Sequence, residues 1–190
     1  MIIIVSTREG KIITRPETSW ERNGTDFYPQ EFIEAVACVP VVYARISKSG
    51  RSVAGKFAKR YYDCFGYGLL LYPENLLDGS PESIACASCI DHSSYLAGPL
   101  FGREEASGPG KHFILKKDGG TVFEFGKAVE GMIEEALAEA TARIHVRTGD
   151  LLAIELSAPL HLCSRPCNMR IEGGIADELP YDFNIIMNLL

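Results

Sequence analysis

Short runs of β-branched and aromatic residues, punctuated by glycine and proline, dominate the chain, and only one long stretch repeats at helical spacing. Residues 2–6 and 12–14 are apolar and flank Arg8-Glu9-Gly10-Lys11, which predicts a hairpin. Residues 15–30 are polar with Pro16, Gly24 and Pro29 and read as loop. Phe32, Ile33 and Val36 recur at helical spacing, so 29–36 predicts a short helix. Residues 39–47 are β-rich, and Ser49-Gly50-Arg51 is a turn. Phe57, Tyr61, Cys64 and Phe65 predict an amphipathic helix over 56–65, ended by Gly66. Residues 67–72 form a strand stopped by Pro73.

The second half follows the same rhythm. Residues 80–94 read as loop with short turns, and 101–111, with Gly102, Gly108, Pro109 and Gly110, as a mobile loop. Strands at 112–116 and 121–125 flank Asp118-Gly119-Gly120, a hairpin signal. Residues 127–144 form the clearest helix, with Val129, Met132, Ile133, Ala136, Leu137 and Ala140 on one face and glutamates opposite. Strands follow at 151–156, 170–172 and 183–189. No repeat or linker divides the chain. The pattern predicts one α+β, mainly β domain over residues 1–190, with a few helices packed outside.

Composition narrows the function classes. The 190 residues are 46% hydrophobic and 23% charged, which is normal for a globular domain and excludes a disordered chain. The net charge of −6, with no basic stripe, excludes a general nucleic-acid or anionic-membrane binder. The apolar start, Met1 to Val5, is too short for a signal-peptide core, and no run approaches the roughly 20 apolar residues of a membrane helix. These features predict a cytoplasmic protein without a membrane partner. Six cysteines in such a chain are expected as free thiols.

Several stretches together resemble the C-terminal domain of the fumarylacetoacetate hydrolase family. They are residues 44–51, reading ARISKSGR; 58–68, reading AKRYYDCFGYG; Leu96-Ala97-Gly98-Pro99-Leu100; Arg147-Thr148-Gly149-Asp150; and Ile171-Glu172-Gly173-Gly174-Ile175. Their order and spacing carry the likeness over about residues 38–190, which leaves 1–37 as an N-terminal strand and loop extension. The resemblance implies a mixed β-roll and a homodimer. It also implies Mg²⁺-dependent hydrolysis, isomerisation or decarboxylation of β-dicarbonyl and oxo-acid substrates.

The residues that would perform this chemistry are replaced. The family's Glu-x-Glu falls on Val39 and Val41, with Pro40 between, and its Asp falls on Tyr72. None of these side chains offers the carboxylate that Mg²⁺ requires. The family's lysine falls on Cys89, and its Thr-Gly-Thr on Ile154-Glu155-Leu156. No Glu-x-Glu occurs anywhere before Gly66. Magnesium is therefore not expected.

Three other constellations could carry chemistry. Cys86-x-x-Cys89 and Cys163-x-x-x-Cys167 have spacings that can chelate one zinc ion, if the pairs meet. Otherwise the thiols pack as small hydrophobes. Cys89 with Asp91 and His92 has the composition of a nucleophile site, or of an ordinary polar loop. Tyr72, Glu74 and Glu155 stand on or beside substituted family positions, where they could bind a small polar ligand, or Tyr72 could simply fill the space. Two readings remain. One is a divergent member of the fold acting as a small-ligand or protein-binding module. The other is an active hydrolase, isomerase or decarboxylase with a rebuilt site.

Overall fold

The computed structural model describes residues 1–175 and 178–188. Among them, thirteen strands form two sheets, with three helices outside: a mixed, mainly β architecture, as the pattern predicts. In chain order the strands are β1 (Ile3–Ser6), β2 (Ile12–Arg15), β3 (Trp20–Glu21), β4 (Ala35–Ile46), β5 (Tyr62–Pro73), β6 (Ser94–Tyr95) and β7 (Phe101–Gly102). They continue with β8 (Phe113–Lys117), β9 (Gly120–Phe125), β10 (Leu151–Glu155), β11 (Leu160–Ser164), β12 (Cys167–Ile175) and β13 (Glu178–Met187). The helices are α1 (Gly55–Ala58), α2 (Pro81–Ala87) and α3 (Glu130–Arg143).

The large sheet runs β2-β1-β10-β4-β5-β6-β3, with β11 also on β4 and β7 also on β5. Its spine is the antiparallel β4–β5 pair, two strands of 12 residues each. Both long edges of β4 are covered: β5 lies on one side, β10 and β11 on the other. Pro40, with no N–H to give a ladder, falls between the β11 contacts at residues 35–38 and the β10 contacts at 41–45. The N-terminal β1 enters this sheet parallel to β10, with Ile3 opposite Leu151.

Side chains alternate between two buried faces. Val36, Cys38, Val42, Ala44 and Ile46 of β4 face the main core, with Leu69 and Leu71 of β5. That face is covered by α3, through Ile133, Ala136, Leu137 and Ala140, and by the second sheet, β13-β12-β8-β9, through Phe113, Leu115, Ile171, Phe183 and Ile185. The other face carries Val39, Val41 and Tyr43 of β4, Leu70 and Tyr72 of β5, and Ile3, Val5, Leu151 and Ala153. Tyr181 of β13 ties the two sheets together. Its hydroxyl donates to the Tyr67 carbonyl and accepts from the Gly98 N–H at 2.8 Å.

Several expectations need correction. The stretch 56–65 is helical only in α1, and Gly66 lies inside β5 rather than at a helix end. Pairing with β4 overrides the helical spacing, and a side chain at Gly66 would collide with the Tyr43 ring. Residues 29–36 do not form a helix, because the Arg165 guanidinium takes the carbonyls of Pro29, Gln30 and Ile33. Residues 80–94 hold α2, whose first turn is capped by the Ser80 hydroxyl and carries Pro81 at its start. The stretch 15–30 contains β3 and a 3₁₀ turn, Glu17–Ser19, and 101–111 contains β7 and a second 3₁₀ turn, Arg103–Glu105. Strand β11 had no counterpart in the pattern reading. The predicted last strand extends to Leu189, which lies outside the described residues. No helix among the described residues is long and apolar enough to cross a membrane.

The Tyr181 bridge sets a stability expectation. Tyr181→Phe leaves the part-buried Gly98 N–H and the buried Tyr67 carbonyl without that hydroxyl, so it should destabilise the chain by about 1–3 kcal/mol. Urea unfolding followed by tryptophan fluorescence measures the loss, and an unchanged midpoint would show that the bridge contributes nothing.

Candidate functional site

The face of the large sheet that bears Val39 and Tyr72 is only partly covered. Ala87 of α2, Leu76, Leu77 and Leu96 pack on it. Near the end of β10 the cover stops, and a cavity of about 350 Å³ opens. Val39, Tyr72, Leu77 and Ile84 give it apolar walls, Glu155 supplies a carboxylate, and the β1–β2 turn at Thr7 to Glu9 forms its rim. The β period of two explains the assembly. Val39, Val41, Tyr72 and Glu155 project to the same side, with Glu155 directly opposite Val41 in the β10–β4 register.

Behind this wall lies a buried cation. Arg15, at the end of β2, is 1% exposed. Its Nη1 donates to the Ser94 hydroxyl at 2.7 Å and the Ser93 carbonyl at 3.1 Å, and its Nη2 donates to the Leu71 carbonyl at 2.7 Å. Its Nε has no partner among the described residues. The guanidinium carbon lies 4.4 Å from the centre of the Tyr72 ring, a cation–π contact. Burial pulls the Arg15 pKa down, opposed by the charges that Tyr72 and Glu155 can carry.

Tyr72 and Glu155 meet in front of Arg15. The Tyr72 hydroxyl donates to Glu155 Oε1 at 3.5 Å, and the Arg8 N–H donates to Oε2 at 3.2 Å. Burial pushes the Glu155 carboxyl above its ordinary pKa, against the opposing pull of the Arg8 N–H, the Arg15 charge and the Tyr72 hydroxyl. Burial likewise raises the Tyr72 phenol. A carboxyl in this state can accept a ligand hydrogen bond when ionised or donate one when protonated.

The structure brings together only part of the candidate set. Tyr72 and Glu155 share the cavity, and Val39 lines it, while Val41 is buried beneath. Glu74 lies elsewhere, against His161 Nδ1 and beside the open groove formed by Glu34, Asn75 and Arg165. Cys89 is exposed, with its thiol donating to the Ala85 carbonyl, and His92 pairs with Glu21 at 2.9 Å. His92 is thus committed to a carboxylate rather than to a thiol. Cys86 and Cys89 stand exposed at α2, while Cys163 and Cys167 lie at the β11–β12 connection. The four thiols do not gather, and the described residues contain no group of three or more His, Cys, Asp or Glu side chains that could hold a metal.

A hard divalent cation fares no better at the family's positions. Mg²⁺ wants about six oxygen ligands in an octahedron. Val39 and Val41 offer none, the Tyr72 hydroxyl is turned to Glu155, and the other described carboxylate at the cavity, Glu9 on the rim, is paired with Lys11. The donor set does not fit the ion. The sequence reading missed Arg15 and the Thr7 to Glu9 rim, because a single arginine beside Pro16 in a polar stretch carries no pattern that marks it as buried.

Glu155 makes the stability of the chain pH-dependent. Its folded pKa lies above the unfolded value, so the cost of ionising it is absent below the ordinary carboxylate range and fully present above the folded pKa. Glu155→Gln should therefore raise the melting temperature at pH 7, with the gain shrinking to nothing near pH 4. A gain that instead grows as the pH falls would show that burial does not dominate at this carboxyl.

No family model matches the sequence, and no curated protein matches it. Solved structures do. A fumarylacetoacetate hydrolase family protein from Yersinia pestis CO92 superposes with a TM-score of 0.80 at 14% identity, covering 97% of this chain and 92% of the other. Fumarylpyruvate hydrolase from Pseudomonas aeruginosa, solved with Mn²⁺ and pyruvate, gives 0.79 at 14% identity, over 98% and 90%. The 5-carboxymethyl-2-hydroxymuconate delta-isomerase from Mycobacterium smegmatis gives 0.74 at 10% identity, over 100% and 79%. These likenesses run through residues 1–37 as well as the rest, and at such identities they show architecture rather than activity: the chain has the fold of the fumarylacetoacetate hydrolase family.

Proposed function

We propose that this chain is a metal-independent small-ligand binder on the hydrolase fold, and that the ligand occupies the cavity at Val39, Tyr72 and Glu155. One observation carries the reading. Two of the three positions where the resemblance expects metal ligands, Val39 and Tyr72, line a cavity of about 350 Å³, so the space is kept while the oxygen donors are gone. That volume lies in the range of small-molecule sites, which are mostly apolar with a few placed polar groups. The likeness to a structure holding Mn²⁺ and pyruvate supports a small-molecule role for the fold. Here the walls favour a ligand with a compact apolar body against Val39, Leu77 and Ile84 and a hydroxyl or amine directed at Glu155.

Two measurements test this. Aryl alcohols and amines, followed by saturation-transfer NMR, should bind the wild type. Binding should weaken about tenfold or more in Glu155→Ala, since a hydrogen bond to a charged group contributes about 1.5–3 kcal/mol. Millimolar Mg²⁺ or Mn²⁺ should leave the melting temperature unchanged. An ion at a hundred times its Kd would add about 2.7 kcal/mol, which is several degrees for a chain of this size. Fragment binding that ignores Glu155, or a clear stabilisation by Mn²⁺, would overturn the proposal.

A second reading rests on the Tyr72–Glu155 contact. A carboxyl held toward its protonated form beside a phenol is a general-acid arrangement. Metal-free turnover of oxaloacetate that disappears in Glu155→Gln would favour an active enzyme over a binder.

A further inference from the structure

Outside the residues that line this cavity, two sulfur atoms meet, and a third stands opposite in register, where the main core meets the second sheet. Cys163, near the end of β11, is buried, and its Sγ lies 3.8 Å from Sδ of Met187 on β13, which is also buried. Cys167 opens β12 directly opposite Met187 in the antiparallel register, so the two side chains share one face. The Cys167 thiol lies 3.9 Å from the Ile185 carbonyl on the same neighbouring strand. Neither thiol is in a disulfide.

We propose that Cys163, Cys167 and Met187 form a soft-metal site that takes one monovalent copper ion. The spacing suits it. Sulfurs bonded to one ion at about 2.3 Å and spread at trigonal angles stand about 4 Å apart, close to the 3.8 Å between Cys163 and Met187. The chemistry suits it as well. Two thiolates and a thioether are the set that selects Cu(I). Zinc completes a tetrahedron of N, S and O ligands, and among the described residues no His, Asp or Glu joins these thiols as a third such ligand.

Binding forms two Cu–S thiolate bonds and one thioether bond, and the two thiol protons leave to solvent. The assembled centre carries one net negative charge. Lys117, whose ammonium donates to the Leu162 carbonyl next to Cys163, supplies a neighbouring positive charge. Cys167 is half-buried and gives the ion its way in. This site is independent of the ligand cavity and of the function proposed for it.

The test uses the full chain, reduced and free of oxygen, titrated against the coloured Cu(I) complex of bicinchoninate. One copper per chain should move to the protein. Cys167→Ser should weaken retention by at least roughly 100-fold, because even partners behind a ligand are worth about 10–100-fold in metal affinity. Met187→Leu, which keeps the core volume, should weaken it by roughly tenfold while the circular dichroism melt stays cooperative. Cys86→Ser/Cys89→Ser should leave it unchanged. Copper-edge X-ray absorption should show three sulfur neighbours. No transfer from the competitor overturns the proposal. So does equal retention by wild type, Cys167→Ser and Met187→Leu, or a loss confined to Cys86→Ser/Cys89→Ser, which would assign the copper to the exposed thiols.

Discussion

Everything else in the chain is arranged around the pairing of β4 with β5. Two 12-residue strands, joined along their length and flanked by β10 and β11, make a wall that is buried on both sides. A strand buried on both faces cannot alternate between polar and apolar, which is why residues 36–46 are almost continuously hydrophobic. One side of the wall builds the core with α3 and the second sheet. The other is left partly open, and that opening is the cavity.

The composition of the open side follows from electrostatics. A cluster of carboxylates on a half-buried sheet face holds together only when a cation neutralises it, since like charges out of water oppose one another's ionisation. Valines at 39 and 41 and a tyrosine at 72 remove that requirement. On the sheet face itself this leaves Glu155, with Arg15 behind it and the Tyr72 ring and hydroxyl between them, while Arg8 and Glu9 stand at the rim. The guanidinium is held by the carbonyls of Leu71 of β5 and of Ser93 and by the hydroxyl of Ser94 of β6, so its charge is dispersed over neutral dipoles rather than cancelled by a single partner. Among the described residues that leaves Glu155 without an ion pair, held only by the Arg8 N–H and the Tyr72 hydroxyl.

The fold was legible because its signals were redundant. The Asp118-Gly119-Gly120 hairpin, the helix around Ile133 and Leu137 and the β-rich run at Val39 each agree with the order of family-like motifs. The misreadings came where local spacing and tertiary pairing disagree. Phe57, Tyr61 and Cys64 fit a helix on paper, but the strand on which Cys64 lies has a twelve-residue partner waiting. The cavity was half legible. Val39, Tyr72 and Glu155 could be located because a family position was missing its expected chemistry, and absence is a signal that motif order can expose. Arg15, Cys163 beside Met187, and the rim at Arg8 depend on contacts between segments far apart in the chain. No periodicity within a window records such contacts.

The pairing of β1 with β10 has a consequence in time rather than in space. Leu151, the partner of Ile3, leaves the ribosome only after the whole stretch between them has been made. The parallel ladder between them therefore cannot close until that stretch is made, and the apolar β1 must wait beside a growing sheet that has no place for it. Folds dominated by such distant pairings are slow to form and expose strand edges while they do. Arg8-Glu9-Gly10-Lys11, the charged tip of the β1–β2 hairpin, gives the waiting segment a soluble end, and the antiparallel pairing of β2 with β1 gives it a partner until β10 arrives.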